Sequence, residues 1–131
     1  MKANFIKQVT MKIQAKDLMI GDWVYIKDHP IKSQPQKVKP EHFVRSLVEF
    51  EPIPLTLEIL EKNGFKKDEK FEEMYYWNWR IGDDCISYDK ETGIVRIFHT
   101  YGHLVFVLPL SYVHELQHAL RLCGIEKEIE L

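Results

Sequence analysis

The fold of this chain is decided by residues 109–125, PLSYVHELQHALRLCGI, which carry its longest uninterrupted helical pattern. Ser111 is the predicted N-cap, because its hydroxyl oxygen can accept a first-turn amide, and Gly124 is the predicted C-terminal stop. One side of the helix is apolar and is predicted to lie on a sheet; it comprises Tyr112, Val113, Leu116, Ala119, Leu120 and Cys123. His114 and His118 point to the opposite side, so we expect both imidazoles to lie away from the core.

The letters HELQH, residues 114–118, match the zinc motif H-E-x-x-H. In that motif two histidines one helical turn apart bind zinc, and the adjacent glutamate activates the metal-bound water. The candidate ligands here are His114 and His118, and the candidate general base is Glu115. A catalytic zinc needs a third protein ligand, and the motif does not supply it. The remaining candidates for that ligand are Glu126, Glu128 and Glu130 in the tail and His99 and His103 before the helix.

Length and composition indicate one domain with its own core. With 131 residues and 45% hydrophobic content, the chain needs no disulfides to fold. We predict a single domain over residues 1–131, with a β-rich part at 1–50 and a helix, a meander and a C-terminal helix at 51–131. Cys85 and Cys123 are too few for a secreted disulfide scaffold and indicate thiols in a reducing compartment. No segment has the ~20 apolar residues that span a bilayer, so we expect a cytoplasmic protein without membrane contact.

Charge is unevenly distributed along the chain. Residues 1–48 hold nine Lys or Arg and four Asp or Glu, whereas residues 49–131 hold nine and sixteen. A basic half can bind the phosphates of nucleic acid, and the candidate contacts are Lys37 and Lys39. Opposite charges can equally attract each other within the fold or across a dimer. Nucleic-acid binding is therefore one hypothesis among several.

The first part of the chain has β-strand patterns. Residues 4–14 alternate loosely, which predicts a strand or an arm. KDLMIGDWVYI, residues 16–26, predicts a Gly-Asp turn followed by a strand, and resembles the start of small SH3-like barrels. Prolines with polar neighbours predict a surface loop over residues 28–40. Residues 40–50 fit a helix or turn followed by a short strand.

A second, shorter helix is predicted within EPIPLTLEILEKNGF, residues 51–65. Thr56 is its predicted N-cap, and Leu55 can pack on Leu60 as a hydrophobic staple. Gly64 is predicted to end this helix, with Phe65 packing back on the last turn.

From residue 74 to residue 108 the apolar period changes to two, which predicts an antiparallel meander. Tyr75, Trp77 and Trp79 give one aromatic face. Such a face can stack a base or a sugar, but it more often forms the core layer beneath a helix. The predicted fold class is therefore α+β: a β-rich, SH3-like N-terminal segment, a short capped helix, and an antiparallel meander with the C-terminal helix packed on it.

A family resemblance is carried by two segments, EPIPLTLEILEKNGF at 51–65 and YVHELQHALRLCGIEKEIEL at 112–131, with the aromatic meander between them. These features resemble a group of small uncharacterised proteins of Bacteroides-type genomes, which are often encoded by phage or other mobile elements. The resemblance extends from KDLMIGDWV, residues 16–24, to the C-terminus. It implies a cytoplasmic protein of mobile-element origin and brings no activity or site residue.

No complete catalytic constellation is recognisable, since the chain has neither a Gly-rich phosphate loop nor a G-x-S-x-G segment. We therefore expect a non-enzymatic accessory or interaction protein that has an unknown protein partner and no cofactor. The first alternative is a zinc-dependent hydrolase using His114, Glu115 and His118. The second alternative is a nucleic-acid-binding module using the basic N-terminal half. The sequence leaves the oligomeric state open.

Overall fold

The computed structural model describes residues 17–28, 34–43, 48–67 and 76–131. The chain divides into two compact units, residues 1–53 and residues 54–131. Each unit contains one antiparallel sheet, and the helices of the second unit complete the predicted α+β class, which is confirmed. The division lies close to the boundary predicted at residue 50, while the grouping of both units into one domain stays a prediction.

The first unit holds a three-stranded antiparallel sheet in the order β2-β1-β3. Its strands are β1 (Trp23–Asp28), β2 (Gln34–Lys37) and β3 (Val48–Pro52), and a 3-10 helix covers Pro40–Phe43. The loop predicted over residues 28–40 is wrong in part, because it contains β2. Pro35 fits there because β2 is an edge strand in this sheet, where a missing amide need not break a ladder. The turn and strand predicted over residues 40–50 are confirmed.

The core of the first unit is small and apolar. It is formed by Leu18, Val24, Ile26, Val38 and Phe50. The predicted Gly-Asp turn precedes β1, and the fully buried Asp22 closes it by accepting the Met19 amide at 2.7 Å. A closed SH3-like barrel stays a prediction, and the strand or arm predicted at residues 4–14 lies outside the described residues.

The second unit holds a five-stranded antiparallel meander in the order β4-β5-β6-β7-β8. Its strands are β4 (Lys66–Lys67), β5 (Tyr76–Ile81), β6 (Asp84–Asp89), β7 (Ile94–His99) and β8 (His103–Pro109). Its helices are α1 (Leu57–Lys62) and α2 (Val113–Leu122), with a 3-10 helix at Thr100–Gly102. None of the helices in these described ranges is long and apolar enough to cross a membrane.

Local signals fix both ends of α1 as predicted. The Thr56 hydroxyl accepts the Ile59 amide at 3.2 Å, which satisfies one of the first-turn donors. At the other end Gly64 has a φ of 112°, and the Phe65 amide donates to the Leu60 carbonyl at 3.0 Å. This helix is therefore capped at both ends by side chains and turns within its own segment.

The start of α2 differs from the prediction by one residue. Tyr112, and not Ser111, is the N-cap residue. The extended backbone there is held from outside the helix, since Tyr112 forms a bridge with Pro54 and the Leu55 amide donates to the Ser111 carbonyl at 2.9 Å. The predicted C-terminal stop is confirmed, because Gly124 has a positive φ of 72°.

The aromatic face of the meander belongs to the core. Trp77 and Trp79 are buried, and the Trp79 ring lies 5.1 Å from that of Phe65. The alternative in which these two rings stack a base or a sugar is therefore wrong, since a buried ring has no free face. Tyr75 lies outside the described residues. On α2, Val113, Leu116, Ala119 and Leu120 are buried as well.

Candidate functional site

Strand β8 is the outermost strand of its sheet in the described part of the chain. Four of its apolar side chains are about half exposed: Leu104 (50%), Val105 (46%), Val107 (46%) and Leu108 (54%). The sequence is apolar without interruption from Leu104 to Leu110. An uninterrupted apolar run is typical of a strand that is covered on both faces, yet β8 lies at an edge.

The exposed side chains lie on both faces of the sheet. Leu108 is opposite Val95 in the register of β7 and β8, and Val95 is buried in the core. Val107 is opposite Arg96, on the other face. Cross-strand partners share a face, so neither surface of β8 is polar.

The backbone of β8 also has hydrogen-bonding groups on its outer side. The Leu110 amide donates to the Gly93 carbonyl at 3.0 Å, which places the polar groups of Leu110 toward β7. These groups alternate between the two sides of an antiparallel strand. Leu108 therefore also faces β7, whereas Val107 and Pro109 face away from it. The outward edge presents the amide and carbonyl of Val107, and Pro109 offers a carbonyl only.

The HELQH segment lies in the first half of α2, but its histidines are less exposed than predicted. His114 is buried, with its Nδ1 atom enclosed by protein, and His118 is half-buried. The prediction that both rings lie away from the core is therefore wrong for His114. The reason is that α2 also buries part of its polar side. The Tyr112 ring stacks on the His114 ring with 6.0 Å between their centres, and the His118 ring meets the His114 ring edge-on at 5.7 Å. Gln117, on the same helix, is buried too.

Glu115 is held at the helix N-terminus. Its Oε1 atom accepts the Ser111 amide at 2.9 Å and the Tyr112 amide at 3.0 Å. This is the carboxylate half of a capping box, and it places a negative charge where the helix dipole favours one. The candidate general base thus already has a structural role in the chain.

The candidate third zinc ligands do not gather beside the histidine pair. The tail that carries Glu130 is tied to the end of α1, since the Asn63 side chain donates to the Glu130 carbonyl and accepts its amide, both at 2.7 Å. His99 is bound to Asp84 instead. Within residues 17–28, 34–43, 48–67 and 76–131, no group of three His, Cys, Asp or Glu is placed to hold a metal ion. Zinc binding by His114 and His118 stays a prediction.

Substitution of Glu115 separates the structural role from the catalytic one. We expect Glu115→Ala to lower the free energy of unfolding by about 1 kcal/mol, because the amides of Ser111 and of the N-cap residue Tyr112 lose their acceptor. Glu115→Gln keeps an oxygen acceptor, so its free energy of unfolding should fall by about half as much or less. Urea denaturation followed by circular dichroism measures both. Equal stability of the wild type and Glu115→Ala would show that the carboxylate does not cap the helix.

A cavity of about 480 Å³ opens at one end of the meander. It is lined by Arg80, Asp83, Cys85, Phe98, His99, Thr100 and Gly102. In this lining the His99 Nδ1 atom lies 2.6 Å from Asp84 Oδ1, and this hydrogen bond fixes the orientation of the ring. An imidazole oriented in this way can exchange a proton with a ligand.

The thiol in this cavity is not activated. Burial raises the pKa of Cys85, and the nearby Arg80 charge lowers it by less. Burial also raises the pKa of Cys123, with a further contribution from Asp84. Both thiols are therefore protonated at neutral pH, whereas a nucleophilic cysteine needs a lowered pKa. The cavity has an oriented acid-base pair but no activated nucleophile.

The two candidate nucleic-acid contacts lie in and after β2. The Lys37 Nζ atom lies 5.4 Å from the centre of the Trp23 ring, where the charge meets the ring face. Lys39 is exposed, and its backbone amide donates to His42 Nδ1 at 2.9 Å. The two lysines flank the buried Val38. Nucleic-acid binding through them stays a prediction.

Comparison with protein-family models, with curated proteins and with solved structures finds no match to this chain. The resemblance to phage-related and mobile-element proteins therefore stays a prediction.

Sequence reasoning missed the β8 edge. Residues 104–108 were correctly predicted to form the last strand of the meander, but their exposure was not predicted. The available signal was the lack of polar alternation in LVFVLPL, residues 104–110, compared with the alternation in β7. It also missed the His99 and Asp84 pair, which only the register of β6 and β7 brings together.

Proposed function

We propose that this protein is a non-enzymatic interaction protein that binds an extended segment of a protein partner along the outer edge of β8. The observation that carries the proposal is the combination of an outward-facing Val107 backbone with apolar side chains exposed on both faces of the strand. Strand addition uses these two features together, because main-chain hydrogen bonds supply affinity and alternate side chains supply specificity.

The opposite edge of the same sheet supports this choice. Strand β4 has two residues, and both are exposed lysines. Short edges that carry lysine are a common protection against unwanted pairing. Strand β8, by contrast, has seven residues and no lysine. The contrast favours β8 as an edge that is open for binding.

The zinc-hydrolase alternative has less support. Its general base, Glu115, accepts two backbone amides with one oxygen, and its first ligand, His114, is buried. An origin in phage or another mobile element is proposed on the resemblance of residues 51–65 and 112–131 alone.

A synthetic peptide tests strand addition without knowledge of the natural partner. The probe is LVFVL, the sequence of residues 104–108, flanked by lysines for solubility. We expect saturable binding to the wild-type chain, measured by fluorescence anisotropy of the labelled peptide. Val107→Pro should abolish peptide binding, because proline lacks the outward-facing amide N–H. The hydrogen bonds between β8 and β7 should stay intact, since the Val107 amide does not take part in them. Val107→Thr keeps the amide and should bind.

Circular dichroism and thermal unfolding serve as the control for intact structure. Proline already occupies the next outward position, at residue 109, so Val107→Pro should fold. Where it does not fold, Val107→Lys replaces it as the blocking variant. The proposal is overturned by a monomeric wild-type chain that does not bind the peptide, or by a folded blocking variant that binds it equally well.

A further inference from the structure

The partner of β8 can be identified from the strand itself. An edge strand that is apolar on both faces needs a neighbour with the same character, and β8 has that character from Leu104 to Pro109. The chain carries no Asp, Glu, Lys or Arg between Arg96 and Glu115. Two such strands can therefore lie side by side without any like charges meeting across the junction.

We infer that the occupant of the β8 edge is the β8 strand of a second copy of this chain, paired antiparallel around a two-fold axis at Val107. This inference rests on the proposed function, since it names the partner for the same edge. In that register the two Val107 residues exchange amide-to-carbonyl hydrogen bonds. Phe106 of each copy lies opposite Leu108 of the other, on the face that carries the core residues Val95 and Ile97.

The proline next to the axis fits this arrangement. Pro109 cannot donate to a neighbour, so a register centred on it would lose reciprocal bonds. With the axis at Val107, Pro109 falls opposite Val105 of the second copy, the residue at which the register of β7 and β8 shifts, and offers only its carbonyl. The two Val107 residues at the axis can therefore both donate their amides.

The assembly closes with two copies. In each copy the five-stranded sheet has one apolar edge, β8, and one lysine edge, the two residues of β4. Pairing β8 with β8 uses the apolar edge of both five-stranded sheets and leaves their lysine edges outside. A two-fold contact of this kind is isologous and adds no further copies, unlike a head-to-tail contact.

Sedimentation velocity of the full chain tests the inference. At high micromolar concentration we expect the wild type to sediment as a dimer, with twice the 15.6 kDa mass of the chain. On dilution it should dissociate to the monomer. Folded Val107→Pro should sediment as a monomer at every concentration, and Val107→Lys should do the same. Val107→Thr is the matched control and should remain a dimer, because it keeps the outward amide and the β-branched shape.

A disulfide tests the register. In an antiparallel hydrogen-bonded pair the Cα atoms are about 5.5 Å apart, within the range that a disulfide spans. Val107→Cys should therefore form a covalent dimer on mild oxidation. Leu122→Cys, at a site that is 80% exposed on α2, carries the same two native cysteines and should not. Equal cross-linking of both variants overturns the proposed register.

The outcomes separate the inference from the proposed function. A monomeric wild type that still binds the LVFVL peptide overturns self-association and leaves strand addition intact. A dimer that survives in folded Val107→Pro and Val107→Lys overturns the β8 junction. A monomeric wild type that does not bind the peptide overturns both.

Discussion

Replacing Gly64 with alanine is expected to lower the free energy of unfolding of the second unit by about 3 kcal/mol or more. Two effects add at this position. The backbone φ is 112°, a conformation that residues with a side chain rarely adopt. A Cβ atom there would also lie 2.7 Å from Nε1 of Trp79.

The overlap cannot be relieved cheaply. Trp79 is 6% exposed, and its ring packs against Phe65 at the end of α1. A rigid ring in a close-packed interior has no free volume to move into, so either the ring or the turn must shift. The effect should therefore exceed that of an ordinary alanine at a helix end.

Gly124→Ala is the matched control. Gly124 also follows a helix with positive φ, 72°, but an added Cβ there meets nothing within 4 Å. This substitution should lower the free energy of unfolding by about 1 kcal/mol, because only backbone strain is added. Urea denaturation of both variants, followed by tryptophan fluorescence, gives the comparison. Equal losses would contradict the packing of Trp79 against this turn.

The helix ends show how far local sequence predicts this fold. The caps of α1 were predicted because each interaction joins residues within one turn, such as Thr56 with Ile59. The start of α2 was not, because its backbone is held by Pro54 and Leu55, which are far away in sequence. Capping residues near a helix end in sequence predict that end only where no distant segment binds the same backbone groups.

Burial of His114 has a similar cause. Helical spacing places His114 opposite the apolar stripe, and this angular position on the helix is correct. Spacing does not tell whether the polar side is also covered, and here Gln117 and His114 are both buried. A motif on the outer side of a predicted helix can therefore be buried, so the match to H-E-x-x-H was not sufficient to predict an accessible metal site.

The candidate interface depends on strand order, which a single sequence does not determine. LVFVLPL could equally describe the centre of a sheet, where both faces are covered. The meander ends with β8, so no later strand of the described chain pairs with it. Strand β8 therefore combines a sequence typical of a sheet interior with a position at a sheet edge.

The outward edge of β8 is proposed to bind another strand, and the exchange of the Val107 amide proton with solvent measures this binding most directly. At low protein concentration this amide has no partner strand in the described fold, and we expect it to exchange at close to the rate of an unfolded peptide. Leu108, which faces β7, should stay protected.

The same proton should become protected as binding saturates. At about 99% occupancy of the edge, exchange at Val107 should slow by roughly a hundredfold, because only the free fraction exchanges. Leu108 is the internal control and should change little. The measurement is amide exchange by two-dimensional NMR across a dilution series and in a titration with the LVFVL peptide. We predict slowing at Val107 in at least one of the two series; unchanged fast exchange in both would contradict the claim.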